Sequence, residues 1–147
     1  MELSTFFEQA WVRYNALCPD ADRVRALLEK RGDVWVNDHV AFRTFDLPGM
    51  TRLELGRPFE ALGYVLQKDD MIFTEKKLVA NFWLHPDPKM PKVFISELRT
   101  ELVSQPLQDW IRHVTEPFYV NGLKPSLELF LSPTWNPVKF SDFQRFY

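Results

Sequence analysis

The residues with the clearest chemical potential lie in one run, Asn37-Asp38-His39-Val40-Ala41-Phe42-Arg43-Thr44-Phe45. Along a β-strand alternate side chains share a face. Asn37, His39, Ala41, Arg43 and Phe45 then project one way, and Asp38, Val40, Phe42 and Thr44 the other. An imidazole and a guanidinium stand about 13 Å apart along such a backbone, and the small side chain of Ala41 leaves room between them. Neutral imidazole is a ligand for divalent iron, zinc or nickel, while the rigid fork of arginine grips a carboxylate with two parallel hydrogen bonds. Together they suit a metal-chelated acid. The same residue types also fit a plainer arrangement, a histidine in a satisfied polar network and an arginine in a structural ion pair.

Other candidates carry less. Glu97 ends the apolar run Phe94-Ile95-Ser96-Glu97-Leu98, and alternation puts it on the face of Val93 and Ile95. A carboxylate pointing inward must be paired, metal-bound or protonated; the alternative is a strand-end acid reaching solvent or Arg99. His85 precedes a proline in a loop and reads as exposed, and His113 falls on the flank of a helix. Cys18 sits at a helix end before Pro19, with nothing local to activate it. The sequence holds no Gly-rich phosphate loop, His-Glu-x-x-His, paired-cysteine zinc motif or Gly-x-Ser-x-Gly elbow.

The elements that must position these groups follow from periodicity. Leu3, Phe6, Phe7, Ala10, Trp11 and Tyr14 have helical spacing, ending near Cys18-Pro19. A second helix, capped by Asp20 or Asp22, carries Val24, Leu27 and Leu28 as an apolar stripe and closes at Arg31-Gly32. Residues 35–45 read as a strand. A helix covers 51–62, where Pro58 either lies inside or starts a second piece. Three strands follow at 64–73, 78–84 and 92–98, then a helix at 106–120. The tail, 123–147, holds Trp135, Phe140, Phe143, Phe146 and Tyr147 and reads as irregular wrapping. The fold class is α+β in one domain, 1–147: helices over 1–33, a strand-helix-strand-strand-strand unit over 34–99, and a helix with an aromatic tail over 100–147.

Composition limits the rest. Of 147 residues, 46% are hydrophobic and 15% aromatic, enough for a packed core and too apolar for disorder. A net charge of −2 argues against a nucleic-acid partner. No apolar run is long enough to span a membrane, and the first residues lack a signal-peptide pattern. A single cysteine fits a reducing compartment, so the expected location is cytoplasmic.

The run 37–45, followed by Pro91-Lys92-Val93-Phe94-Ile95-Ser96-Glu97-Leu98, resembles the 2-oxoadipate dioxygenase/decarboxylase family of the vicinal-oxygen-chelate superfamily, and the likeness reaches from the N-terminal helices to about Tyr147. The resemblance implies a βαβββ vicinal-oxygen-chelate module and a non-haem Fe(II) enzyme of lysine breakdown, which converts 2-oxoadipate to 2-hydroxyglutarate with dioxygen and loss of carbon dioxide. By the same resemblance His39 is a metal ligand, Arg43 holds a carboxylate of a 2-oxo dicarboxylic acid, and a second histidine and a carboxylate come from a second module. That second half is expected from a partner or from a two-fold homodimer, in which two copies of His39 and Glu97 surround one metal. The alternative is a metal-incompetent relative acting as a carboxylate-binding or interaction module.

Overall fold

In the computed structural model, which describes residues 1–132 and 135–146 except the Phe143 side chain, the two N-terminal helices form as their spacing requires. Helix α1 (Leu3–Leu17) stops where Pro19 restricts Cys18, whose N–H closes on the Tyr14 carbonyl at 2.8 Å. Helix α2 (Asp20–Lys30) starts directly from Pro19, without the expected aspartate cap; Asp20 and Asp22 lie in its first turn instead, favourably placed against the helix dipole. Gly32, at a φ of 88°, ends it in a conformation that costs only glycine little. The expected stripe of α2 is not a core face: Val24 and Leu27 are largely exposed.

Strand β1 (His39–Phe45) is followed by helix α3 (Arg52–Glu60) and by strands β2 (Val65–Leu66), β3 (Met71–Phe73), β4 (Leu78–Leu84) and β5 (Lys92–Leu98). The sheet runs β1-β5-β4-β2, with β3 also on β4, so β2 and β3 together fill one position of a βαβββ unit. They were expected as a single strand. The polar run Lys68-Asp69-Asp70 divides them because Asp70 turns toward Arg52 and Asn81. Strands β1 and β5 are parallel, and the remaining pairs antiparallel.

Helix α3 begins with a reciprocal cap: Thr51 Oγ1 accepts the Glu54 N–H, while Glu54 Oε2 accepts the Thr51 N–H at 3.2 Å. Pro58 lies inside this one helix rather than starting another. Gly56 lets α3 approach β4, since a Cβ there would sit 2.2 Å from Cζ2 of the buried Trp83. The core lies between α1, α3 and this side of the sheet, around Phe6, Phe59, Trp83, Val93 and Ile95. Phe42 of β1 meets the ring of Phe130 at 4.3 Å, and Phe6 meets Phe59 edge-on at 5.5 Å. Each fully buried ring of this kind contributes roughly 1.5–3 kcal/mol.

Beyond the sheet come α4 (Gln105–Val120), α5 (Leu127–Phe130) and α6 (Phe140–Phe146). The tail is therefore partly helical, not wholly irregular. Ser126 caps α5 by accepting the Leu129 N–H, and Tyr147 lies outside the described residues.

Candidate active-site strand

The alternation expected of β1 is present from His39 onward. Val40, Phe42 and Thr44 are half-buried or buried, and His39, Ala41 and Arg43 are exposed. Side chains directly opposite one another in a ladder share a face. Arg43 therefore lies on the face of its partners Ser96 and, one strand further, Ala80, while Thr44, Glu97 and Val79 share the α3 face.

This register corrects the expected ligand set. Glu97 does point inward, with 4% exposure, but toward α3 and away from His39. There it accepts the backbone N–H of Arg52 at 2.7 Å and pairs with the Arg52 guanidinium. Arg52 also reaches Asn81 Oδ1 at 2.5 Å and Asp70 Oδ2 at 2.9 Å. The network fixes the first residue of α3 to the centre of the sheet, and it supplies the compensation that a buried carboxylate needs. Within one chain the structure does not bring His39 and Glu97 together.

His39 is better equipped than strand alternation foretold. Asp38 lies just before β1, so the pleat does not hold its side chain on the opposite face. Its Oδ2 instead meets His39 Nδ1 at 2.9 Å, and its Oδ1 accepts from Lys92 Nζ at 3.1 Å. Hydrogen bonding from His39, then from Lys92, with the lysine charge added, holds the Asp38 carboxyl below its ordinary value. A carboxylate on Nδ1 sets the ring orientation and leaves Nε2 as the free lone pair, the arrangement by which proteins present a metal-binding imidazole. Proximity in sequence was the available signal.

Arg43 has no hydrogen bond or ion pair among the described residues, so the structural ion pair weighed for it is not formed. It borders a cavity of about 150 Å³ whose other walls, Phe42, Thr44, Met50, Leu55 and Phe118 among them, belong to the α3 side of β1. His39 and Ala41 instead line a larger groove of about 690 Å³, walled by Trp11, Tyr14 and Trp35. The two side chains share a face of β1 but not yet a pocket. Beyond them the outer edge of β1 carries no strand among the described residues. His85 packs on Tyr64 at 5.0 Å and accepts the Asp87 N–H, and His113 is exposed on α4. Among the described residues no three His, Cys, Asp or Glu cluster as a metal set. The donors present fit one ligand of an iron site, His39 with Asp38 behind it, and not a complete site.

No family model matches the chain. It is 37% identical over 121 residues to the chloroplastic 2-oxoadipate dioxygenase/decarboxylase of Arabidopsis thaliana, and 31% identical over 125 residues to the chloroplastic/amyloplastic enzyme of Oryza sativa. These matches take in 74% and 77% of the chain but only 32% and 34% of the relatives, so the chain spans about a third of their length. Among solved structures, the Oryza sativa hydroxyglutarate synthase in complex with 2-oxoadipate superimposes with a TM-score of 0.85 at 28% identity, over 96% of this chain and 49% of that one. A Shewanella frigidimarina protein gives the same TM-score at 32% identity, over 98% and 56%. A glyoxalase-superfamily protein of Ralstonia eutropha, at 16% identity over 87% and 49%, shares the fold with a TM-score of 0.66. The chain is thus a relative of the 2-oxoadipate dioxygenase/decarboxylases, built on a fold of the glyoxalase and vicinal-oxygen-chelate type.

Proposed function

We propose that this chain supplies one half of an iron-dependent 2-oxoadipate dioxygenase/decarboxylase site, with His39 as one metal ligand and Arg43 as the clamp on the substrate's remote carboxylate. The observation that carries this reading is the pairing on one exposed face of β1. An imidazole is turned by Asp38 to offer Nε2, and four residues on stands an arginine with no partner among the described residues. Unpaired among the described residues, the guanidinium is ready for a carboxylate, and a bidentate grip would fix both the position and the length of a linear diacid. Iron, when bound, would hold a 2-oxo acid and dioxygen side by side. The chain's own contribution is to orient that ligand, seat the acid and shield it with the aromatic groove.

The remaining donors come, on this reading, from a second βαβββ unit docked along the outer edge of β1, which carries no strand among the described residues. Calorimetric titration of 2-oxoadipate, with and without a chelator, tests the proposal together with the measured iron content per protein. Retained iron lost in His39→Ala, and 2-oxoadipate binding lost in Arg43→Ala, are the expected results. A protein that takes up neither metal nor 2-oxoadipate at any concentration sinks the reading. The lack of a three-donor cluster among the described residues favours one alternative, a carboxylate-binding module that works without metal; chelator-insensitive binding through Arg43 would identify it.

A further inference from the structure

We infer that Phe94, directly across the ladder from Ala41, is the platform for the methylene chain of the acid, and that Ala41 provides the clearance above it. Both roles rest on the reading of His39 and Arg43 given above. They add the residues that recognise what lies between the two ends of the acid.

The ladder register arranges the exposed face of β1 in rows that continue across the sheet. His39 stands opposite Lys92, Ala41 opposite Phe94 and then Phe82, and Arg43 opposite Ser96 and then Ala80. Alternate residues of a strand share a face, and so do direct ladder partners. Successive rows on one face lie about 6.7 Å apart, and neighbouring strands about 4.8 Å apart. The row of Ala41, Phe94 and Phe82 therefore lies midway between the imidazole and the guanidinium. A linear acid that joins those two groups runs over this row, and the row is wholly apolar.

Burial shows that the surface is free for such a ligand. Val93 and Ile95, on either side of Phe94 in the chain, are fully buried in the core. Phe94 and Phe82 are only half-buried and stand outside that core. On the α3 side, Phe42 stacks against Phe59, whereas Phe94 and Phe82 meet no aromatic ring among the described residues. Ala41 is exposed and lines the groove that His39 also lines. With one end of the acid at Arg43 and the other at His39, the methylenes are its only apolar part. Each methylene taken out of water is worth about fourfold in affinity. A longer side chain at position 41 would occupy the space that the methylenes need.

The test titrates 2-oxoglutarate and 2-oxoadipate, which differ by one methylene, into wild-type protein and into Phe94→Ala, Phe94→Leu, Ala41→Ser and Ala41→Leu. Titrations are anaerobic with ferrous iron present, and sedimentation gives the oligomeric state of each protein. Phe94→Ala should weaken 2-oxoadipate by about fourfold or more and 2-oxoglutarate by less, while Phe94→Leu should keep most of the affinity. Ala41→Leu should weaken both acids by about tenfold or more, and Ala41→Ser should not. Should Phe94→Ala fail to fold, the two Ala41 variants decide the matter, because replacing an exposed alanine removes no packing. Unchanged affinity in every folded variant overturns the platform while leaving the Arg43 clamp in place. An altered oligomeric state with unchanged affinity also overturns it, since protein and not the acid then covers the row. Wild-type protein that binds neither acid overturns both readings.

Discussion

Glu97 is locked to Arg52 on the α3 face of the sheet, accepting its backbone N–H at 2.7 Å and facing its guanidinium, while His39 stands on the opposite face. The Arg52 side chain keeps 12% exposure and that of Glu97 5%, so removing one partner strands a mostly buried charge. Glu97→Ala should cost about 3–5 kcal/mol, read as a shift of the urea midpoint at constant slope, and should leave iron uptake through His39 intact once the protein is folded. His39→Ala should do the reverse, changing stability by about 0.5 kcal/mol or less. Equal stability losses in the two variants would contradict the division of labour between the two faces.

Gly56 faces the ring of Trp83, and an added Cβ would stand 2.2 Å from it. Trp83 is fully buried and gives its Nε1–H to Glu60 at 2.9 Å, so the ring has nowhere to go without loss. Gly56→Ala should destabilise the protein by about 1–3 kcal/mol, despite the better helix propensity of alanine. Chemical denaturation measures this directly, and a stabilised variant would show that α3 can move off the sheet freely.

The start of α3 should be sensitive to acid. Burial pushes the Glu54 carboxyl up, but the Thr51 hydroxyl and the Thr51 and Gly49 N–H groups outweigh it, with Arg57 adding to them, and the net value lies below the ordinary one. A depressed carboxyl contributes stability that is complete above its unfolded pKa and fades as pH falls through the lower folded value. Melting temperatures should therefore drop on acidification below about pH 4.5, and Glu54→Gln should show a shallower drop from a lower starting point. Parallel curves for the two proteins would remove Glu54 from the account.

Asp38 should act on metal binding through His39. Losing a carboxylate that orients a metal-bound imidazole typically lowers metal affinity about 10- to 100-fold. Asp38→Asn should weaken iron or nickel binding by that amount, with little change in the melting temperature of the metal-free protein, because the pair is exposed. Competition against a chromophoric chelator gives the affinity; an unaltered value would mean that the Asp38 contact does not orient a ligand.

Much of the scaffold was legible in the residues. The limits of α1, β4 and β5 emerged from periodicity and from the prolines around them, and alternation placed His39 and Arg43 on one exposed face. Glu97 shows where such reading stops. Its inward phase was readable, but its partner Arg52 lies on another element, and only the β1–β5 register reveals that inward means toward α3. Asp38 escaped because the strand begins at His39, four residues later than the pattern over 35–45 suggests. The α2 stripe misled for a related reason: amphipathic spacing shows that a face is apolar without saying that anything covers it. Asn136 donates to the His113 carbonyl, which Pro117 in α4 leaves without its helical donor, a relation that no local pattern contains.

The parallel pairing of β1 with β5 also governs how the protein folds. Every ladder partner of His39 and Arg43 belongs to the last strand of the module, so β1 gains its neighbours only when a long loop closes. Non-local parallel contacts of this sort form late and slowly. The strand bearing the candidate chemistry is therefore among the last parts of the sheet to be ordered, and among the first to be lost when the chain loosens.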